Sequence, residues 1–379
     1  MQQKGKVRMA VIGLGEMGKK HAILIDSGQV KGMELTCVCV HKENGLMWAA
    51  DHLSKSVRSV VGIDNLFRFD KEFDALLIAT PHRDHMESMR YACRHGKHVF
   101  CEKPAGISVS EADYMEEEAQ KSGIIYTLMF HHRKYECYRD LKRLLDEKKV
   151  GTILRIEQEC CMYRTAYYHQ SGKWRSSWRG EGGGLLINQG QHVLDMWQWL
   201  FGMPKAVRAE ISWGKYNDFA VDDEVGILMR YEDRRQASLF MTTGEPGKRE
   251  RLSIIGSLGR MDLDGNKLTI LEYGADSLEY GKSARVLSDS EMKMQTSCRV
   301  YPTEYANAYT EMLQEFAEAV LGKKEISVTG SDGICALELA NASYLSAWED
   351  KWISLPIDRA QYDRELEERV LYEEEMRLG

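Results

Sequence analysis

The sequence predicts an α/β chain with two unlike parts. The first is a doubly wound parallel sheet, and the second is an α+β unit with a large, mostly antiparallel open sheet. Three observations carry this. Short apolar runs alternate with helical patterns as far as residue 130, as parallel strands joined by crossover helices require. A Gly-x-Gly-x-x-Gly run follows the first apolar run. Beyond residue 206, strand-like runs follow one another with no helix between, the mark of antiparallel pairing.

Taken in order, Val7–Ile12 is a buried strand closed by glycine, and Met17–Ser27 has helical spacing. The Met9–Leu14 run is too short and too glycine-interrupted for a secretory signal. Leu35–Val40 is the second strand, followed by helix-like sequence at Leu46–Leu53. Ala75–Ala79 is a strand, Met86–Arg94 a helix, Val99–Cys101 a strand, Ser110–Ser122 a helix, and Ile124–Met129 closes the series. Right-handed crossovers turn this rhythm into a doubly wound sheet. The rhythm then changes. Arg139–Lys148 is helical, Ile153–Met162 is a long strand, and Gln191–Leu200 is helical again. Strands are expected at Val207–Trp213, Glu224–Tyr231, Ala237–Thr242, Leu252–Ile255, Arg260–Leu263 and Leu268–Tyr273, and helices at Thr303–Leu321 and Ser331–Ala347. Turn signals such as Glu245-Pro246-Gly247 and Asp264-Gly265-Asn266 punctuate the strands. The expected divisions are 1–130, 131–357 and a charged helical tail, 358–379. In the tail, Tyr362, Leu366 and Val370 recur every four residues. It reads as a solvated surface helix or as a stripe for a neighbouring subunit.

At 379 residues and 43% hydrophobic the chain can bury a large core, so disorder is excluded as its main state. A net charge of −7 without a basic block excludes duplex nucleic acid and anionic membrane as partners. No run approaches the ~20 apolar residues of a membrane helix. Nine scattered cysteines without a C-x-x-C pair read as reduced thiols of a cytoplasmic protein.

Gly13-Leu14-Gly15-Glu16-Met17-Gly18 lies between strand and helix. Gly13 serves the tight turn, Gly15 lets a pyrophosphate approach the backbone, and Gly18 lets helix and strand pack closely. The helix start then offers free N–H groups to phosphate. In this context the run is a Rossmann dinucleotide fingerprint. The second strand ends at His41-Lys42-Glu43, with no acid at its tip to hold the ribose hydroxyls. Lys42 could instead meet a 2′-phosphate, and Glu43 the ribose if the loop bends. NAD is the expected cofactor, held tightly or exchanged, with NADP left open.

Two further segments carry chemistry: Thr80-Pro81 with His85, followed by Glu102-Lys103-Pro104; and Glu181-Gly182-Gly183-Gly184 leading to Asn188, His192 and Asp195. With the fingerprint and His21 just after it, these residues resemble the Gfo/Idh/MocA oxidoreductases (glucose–fructose oxidoreductase, inositol dehydrogenase and rhizopine catabolism proteins) from Val7 to about Pro356. The resemblance implies NAD(P)-dependent oxidation or reduction of a sugar or cyclitol carbon in a cleft between the domains. It also implies a homo-oligomer built through the open sheets.

Oxidising a secondary alcohol needs a hydride acceptor and a base. Lys103, just after a strand end, and His192, across the cleft, both qualify, with His192 placed first. Asn188 stands one turn before His192. Many relatives carry Asp at Asn188, and the amide removes that charge. Asp195 is expected to be structural, bonded to backbone or an arginine. His85 either caps its helix or lines the nicotinamide pocket. Arg133 matches an arginine of relatives and is expected at the substrate, while His131 and His132 either reach the cleft or only pack. No ligand spacing points to a metal.

Tyr163, Arg164, Trp174 and Arg175 supply the aromatic faces and donors that a pyranose ring needs. The pattern Trp174-Arg175, then Glu181-Gly182-Gly183-Gly184 with Asn188-Gln189, resembles the family branch that oxidises glycosides, often at C3, whose product a partner lyase can cleave. The alternatives are a glycosidase of the same fold that uses NAD transiently, and a non-catalytic dinucleotide sensor.

Overall fold

The computed structural model describes residues 5–303 and 307–378. Six strands form the first sheet: β1 (Val7–Ile12), β2 (Met33–Val40), β3 (Arg58–Val61), β4 (Ala75–Ile78), β5 (His98–Cys101) and β6 (Tyr126–Leu128). They pair in parallel in the order β3-β2-β1-β4-β5-β6. Helices α1 (Glu16–Asp26), α2 (Asn44–His52), α3 (Ile63–Phe67), α4 (His85–Arg94) and α5 (Val109–Ser122) connect them. The central strands are apolar throughout because helices cover both faces: every residue of β4 is buried. Chain order reverses between β1 and β4, which opens a crevice at the carboxyl ends of those strands.

The second sheet has nine strands: β7 (Ile153–Cys161), β8 (Ala206–Trp213), β9 (Asp222–Arg230), β10 (Gln236–Thr242), β11 (Arg249–Gly256), β12 (Gly259–Asp264), β13 (Lys267–Tyr273), β14 (Met294–Val300) and β15 (Ile353–Ser354). Their order is β14-β13-β12-β11-β7-β10-β9-β8-β15. β7 and β10 pair in parallel, and the other neighbours are antiparallel. Burial alternates along β9 and β10, as in a sheet with one covered face. Leu228 and Phe240 stand exposed on the other face. The helices here are α6 (Glu136–Asp146), α7 (Ala166–Gln170), α8 (Gly190–Phe201), α9 (Ser277–Ser283), α10 (Ala308–Val320), α11 (Gly330–Glu349) and α12 (Arg359–Leu378). α11 packs on both β8 and α8.

The expected helix at Thr303–Leu321 begins only at Ala308, and residues 304–306 lie outside the described residues. Sequence periodicity missed β3 and β14, two edge strands. The solvent-facing residues of β14 show no burial alternation for a pattern to report.

The tail differs from both expectations. Tyr362, Leu366 and Val370 are 1%, 5% and 2% exposed, so their stripe is buried within this chain rather than left to solvent or a neighbour. α12 packs against α5 and α11, with Tyr362 stacked on Trp348 and the Arg369 guanidinium 3.7 Å from the Trp348 ring centre. No helix among the described residues is long and apolar enough to cross a membrane.

Candidate active site

A cleft of about 1260 Å³ runs from the glycine turn after β1 to residues of β7, α7 and α8. At one end Gly13 takes φ +91°, and a Cβ there would stand 2.6 Å from the Ala79 carbonyl oxygen, so only glycine fits the turn. A Cβ on Gly18 would strike the Gly13 carbonyl, which explains the close crossing of α1 over β1. Gly15 is different: no atom lies within 4 Å of where its Cβ would be. That open space sits over the N-terminus of α1, which no side chain caps. A diphosphate fits there on the free N–H groups and the positive end of the helix. Leu14, Glu16 and Met17 line this end, followed by His41 and Lys42 at the tip of β2. Thr80 and Pro81 line the middle, and the Thr80 hydroxyl is buried without a partner.

Glu102 and Lys103 follow β5 into the same cleft. Glu102 Oε1 lies 2.6 Å from His21 Nε2, both groups buried, so α1 is tied to the Glu-Lys-Pro segment. Lys103 Nζ donates to the backbone oxygen and the Oδ1 of Asn188, each at 3.0 Å. Burial pulls this ammonium down to about 8, against the pull of Glu102 and Glu181. Asn188 Nδ2 donates to Glu181 Oε1 and, at 3.1 Å, to the Tyr168 hydroxyl. Glu181 Oε2 accepts from the Ser176 N–H at 2.6 Å, and burial pushes its carboxyl up to about 7.

His192 reaches the cleft from α8 and is stacked on His132, centroids 4.5 Å apart. His131 stands edge-on to His192 at 4.6 Å and is stacked on Tyr309 at 4.1 Å. Burial holds His192 well below the usual histidine range and both neighbours at about 3, so all three rings are neutral. Given one ring nitrogen each, the three form a group whose nitrogens lie within 4.8 Å of one another. The sequence offered no ligand spacing because β6 and α8 lie some 60 residues apart in the chain.

The far end is aromatic and cationic. Trp174 meets the edge of His82 at 5.0 Å. The Arg175 guanidinium lies 4.6 Å from both the Tyr168 and the Trp174 ring centres, and it donates to the Tyr168 hydroxyl at 2.8 Å. Arg164 covers Tyr168 at 5.0 Å, and Tyr163 lines the rim.

The comparisons with known proteins agree with this geometry. Residues 7–130 match the model of the oxidoreductase family with an NAD-binding Rossmann fold, and residues 138–262 match the GFO/IDH/MocA C-terminal domain. The chain belongs to the Gfo/Idh/MocA oxidoreductase family. Among its relatives, the NAD-dependent scyllo-inositol 2-dehydrogenase of Bacillus subtilis is 25% identical, over 94% of this chain and 98% of that protein. An NADP-dependent scyllo-inositol 2-dehydrogenase of the same organism is 25% identical, over 76% and 80%. Among solved structures, levoglucosan dehydrogenase with NADH and levoglucosan superposes with a TM-score of 0.77 at 20% identity, covering 93% of this chain and all of that one. The WlbA dehydrogenase of Bordetella pertussis with NADH and UDP-GlcNAcA gives the same score, identity and coverage.

In this Gfo/Idh/MocA chain the fold gathers Lys103, Asn188, His192, Trp174 and Arg175 at one cleft, but not every expected residue. Arg133 is a correction. It is 5% exposed, absent from the cleft wall, and bonded to Asp195 (Nε–Oδ2, 2.9 Å) and Asp332 (2.8 Å). It joins η-turn 131–134, α8 and α11, and Asp195 is structural as expected. His85 is a second correction: fully buried behind the cleft, its ring nitrogens lie 3.0 Å from the Pro104 and Thr80 carbonyl oxygens. It braces the two loops that line the cofactor end. Glu43 begins α2 and does not line the cleft. Sequence reasoning gave no site role to Glu181, Gln189 or Tyr309. Glu181 was visible only as the first residue of the glycine run, with no hint that its carboxylate turns toward Asn188.

Proposed function

We propose that this chain oxidises a secondary hydroxyl of a sugar, glycoside or cyclitol with NAD or NADP. The observation that carries this reading is the Lys103 amine, pulled to about 8 between the diphosphate cradle and the Trp174–Arg175 end of the cleft. Gly13, Leu14, Gly15, Glu16 and Met17 would hold the diphosphate, with His41 and Lys42 at the adenosine ribose and Thr80, Pro81 and Glu102 toward the nicotinamide. The bound nicotinamide supplies the hydride acceptor. Lys103 takes the hydroxyl proton, because its neutral form is well populated near pH 8. His192 is too weak a base at its depressed pKa and instead lines the substrate. This reverses the order of the two groups expected from sequence. Asn188 orients the Lys103 amine, Trp174 offers a ring face, and Arg164 and Arg175 offer donors.

A glycoside is the favoured substrate because the aromatic and guanidinium groups cluster beyond the reacting end. Levoglucosan occupies the structural neighbour named above. If C3 is the oxidised carbon, the neighbouring C–H becomes acidic, and a lyase is the reaction that would consume the product. The exposed face around Leu228 and Phe240 supports a homo-oligomer, and nine free cysteines support a reducing cytoplasmic compartment. The proposed division is 1–130, 131–357 and 358–379, and the separate parallel and mixed sheets support it.

The test is the absorbance of reduced nicotinamide on mixing protein, NAD or NADP, and a panel of glycosides, free sugars and inositols. Growth of the band with one class supports the reading and names the substrate class. Nucleotide binding without reduction by any of them would overturn it.

A further inference from the structure

His131, His132 and His192 meet at the wall of the cleft, and their side chains have a shared feature beyond proximity. The Nδ1 atom of each ring is buried and has no hydrogen-bond partner. A buried polar nitrogen left unpaired is costly, and native structures carry few of them. Three in one cluster require a common explanation. Because no hydrogen bond holds any of the rings at Nδ1, turning a ring toward a shared ligand forfeits nothing at that atom. One ring nitrogen from each already lies within 4.8 Å of the others.

We propose that His131, His132 and His192 form a three-nitrogen site for a divalent transition ion, zinc in the first instance, with one position open to the cleft. The donor set selects the ion. Three imidazoles and no carboxylate suit zinc or cobalt and disfavour magnesium or calcium, which need oxygen ligands. A tetrahedral ion at Zn–N ≈ 2.0–2.1 Å sets its nitrogens about 3.4 Å apart, so no pair in the cluster has to close by more than about 1.4 Å. The stacked pair His132 and His192, inclined at 16°, must splay for this, and both rings are only partly covered. His131 is already at 80° and 87° to them. Lys103 and Lys248 oppose a cation here, while Glu102 and Glu250 in the same cleft offset them. The role of the ion rests on the dehydrogenase reading. At the open position it would bind the substrate hydroxyl and make it more acidic, and the proton would pass to Lys103. The ion keeps its oxidation state.

The test uses the tag-free chain, stripped with a chelator and titrated with Co²⁺ as a spectroscopic stand-in for zinc. The expected result is one Co²⁺ retained per chain after dialysis, with visible d–d bands that Zn²⁺ displaces. His131→Ala and His132→Gln should lose both signals while still binding NAD, followed by nucleotide fluorescence, which shows that the variants are folded. Retention far below one equivalent in the wild type, or an unchanged cobalt spectrum in folded His132→Gln, would overturn the site. Turnover with and without zinc is a separate arm. Cobalt binding at full stoichiometry without any nicotinamide reduction would uphold the site and defeat the dehydrogenase reading. Turnover by the stripped protein equal to that with zinc would overturn the role given to the ion.

Discussion

The side-chain amide of Asn188 is held between two titratable groups: its nitrogen donates to Glu181, and its oxygen accepts from Lys103 Nζ at 3.0 Å. The carboxylate of Glu181 is thus separated from the ammonium by the amide. The carboxylate also fixes which way the amide faces. With Glu181 and the Tyr168 hydroxyl accepting from Nδ2, Oδ1 is left for the ammonium. Glu181 raises the proton affinity of Lys103 through its charge. Glu181→Gln removes that charge, so the pH at which kcat rises should move to lower values. The neutral amide can also be satisfied with Asn188 turned either way, and kcat at the plateau should fall by about 10-fold as Lys103 loses orientation. A pH profile that does not move would refute the link.

Lys103 itself should set the ascending limb of the pH profile. Its pKa is lowered to about 8, so the neutral amine that accepts a proton grows as pH rises through 8 and is complete above it. The rate of alcohol oxidation should therefore rise up to about pH 8 and then level. The charged and titratable groups facing this amine are Glu102, Glu181, Arg175, Arg164 and the neutral His82, His131, His132 and His192. Lys103→Ala should lower kcat by about 10²–10⁴-fold and leave nucleotide affinity nearly intact. Equal losses of both would make Lys103 a cofactor ligand rather than a base.

Cofactor choice should turn on the tip of β2. His41 and Lys42 line the cleft there, while Glu43 stands exposed at the start of α2 and does not line it. A ribose diol needs a carboxylate, whereas a 2′-phosphate needs a cation. The chain should accept NADP, and Lys42→Ala should weaken NADP by roughly 10-fold, about 1.4 kcal/mol, with little change for NAD. Direct titration with the two nucleotides measures this, and an equal loss for both would refute it.

The chain order of strands and helices was legible because buried parallel strands are continuous apolar runs, and the glycine fingerprint marks its own turn. Lys103, Asn188, His192, Trp174 and Arg175 were legible because each lies in a distinctive local pattern. What escaped was pairing across the fold. Nothing near Arg133 in the sequence announces Asp195 or Asp332, and nothing near Glu181 announces that its carboxylate points at Asn188. The three histidines belong to one group only because the chain between β6 and α8 brings a 3-10 turn against a helix. Edge strands such as β14 escaped for the opposite reason, since solvent on their faces leaves no periodicity to read.

Arg133 should matter for stability and not for substrate. Its guanidinium is buried between Asp195 and Asp332, and removing it strands a buried carboxylate. Breaking a buried pair in this way costs about 3–5 kcal/mol. Arg133→Met should lower the denaturant midpoint accordingly, while KM of the folded enzyme stays within about twofold. A large rise in KM at unchanged stability would return Arg133 to the substrate.

The last helix should be part of the folded core. Tyr362, Leu366 and Val370 lie against α5 and α11, and each buried side chain of this size contributes about 1.5–3 kcal/mol. Ending the chain after Pro356 removes all three and uncovers Trp348, on which Tyr362 and Arg369 rest. It also removes Glu373 and Glu374, which bond the Arg179 backbone and side chain at the loop leading to Glu181. The shortened chain should therefore lose several kcal/mol of stability, and the loop carrying Glu181 should exchange its amide hydrogens faster. Hydrogen exchange read separately over 174–184 and over α5 distinguishes the two effects. Unchanged protection in both segments would mean that α12 only rests on the surface.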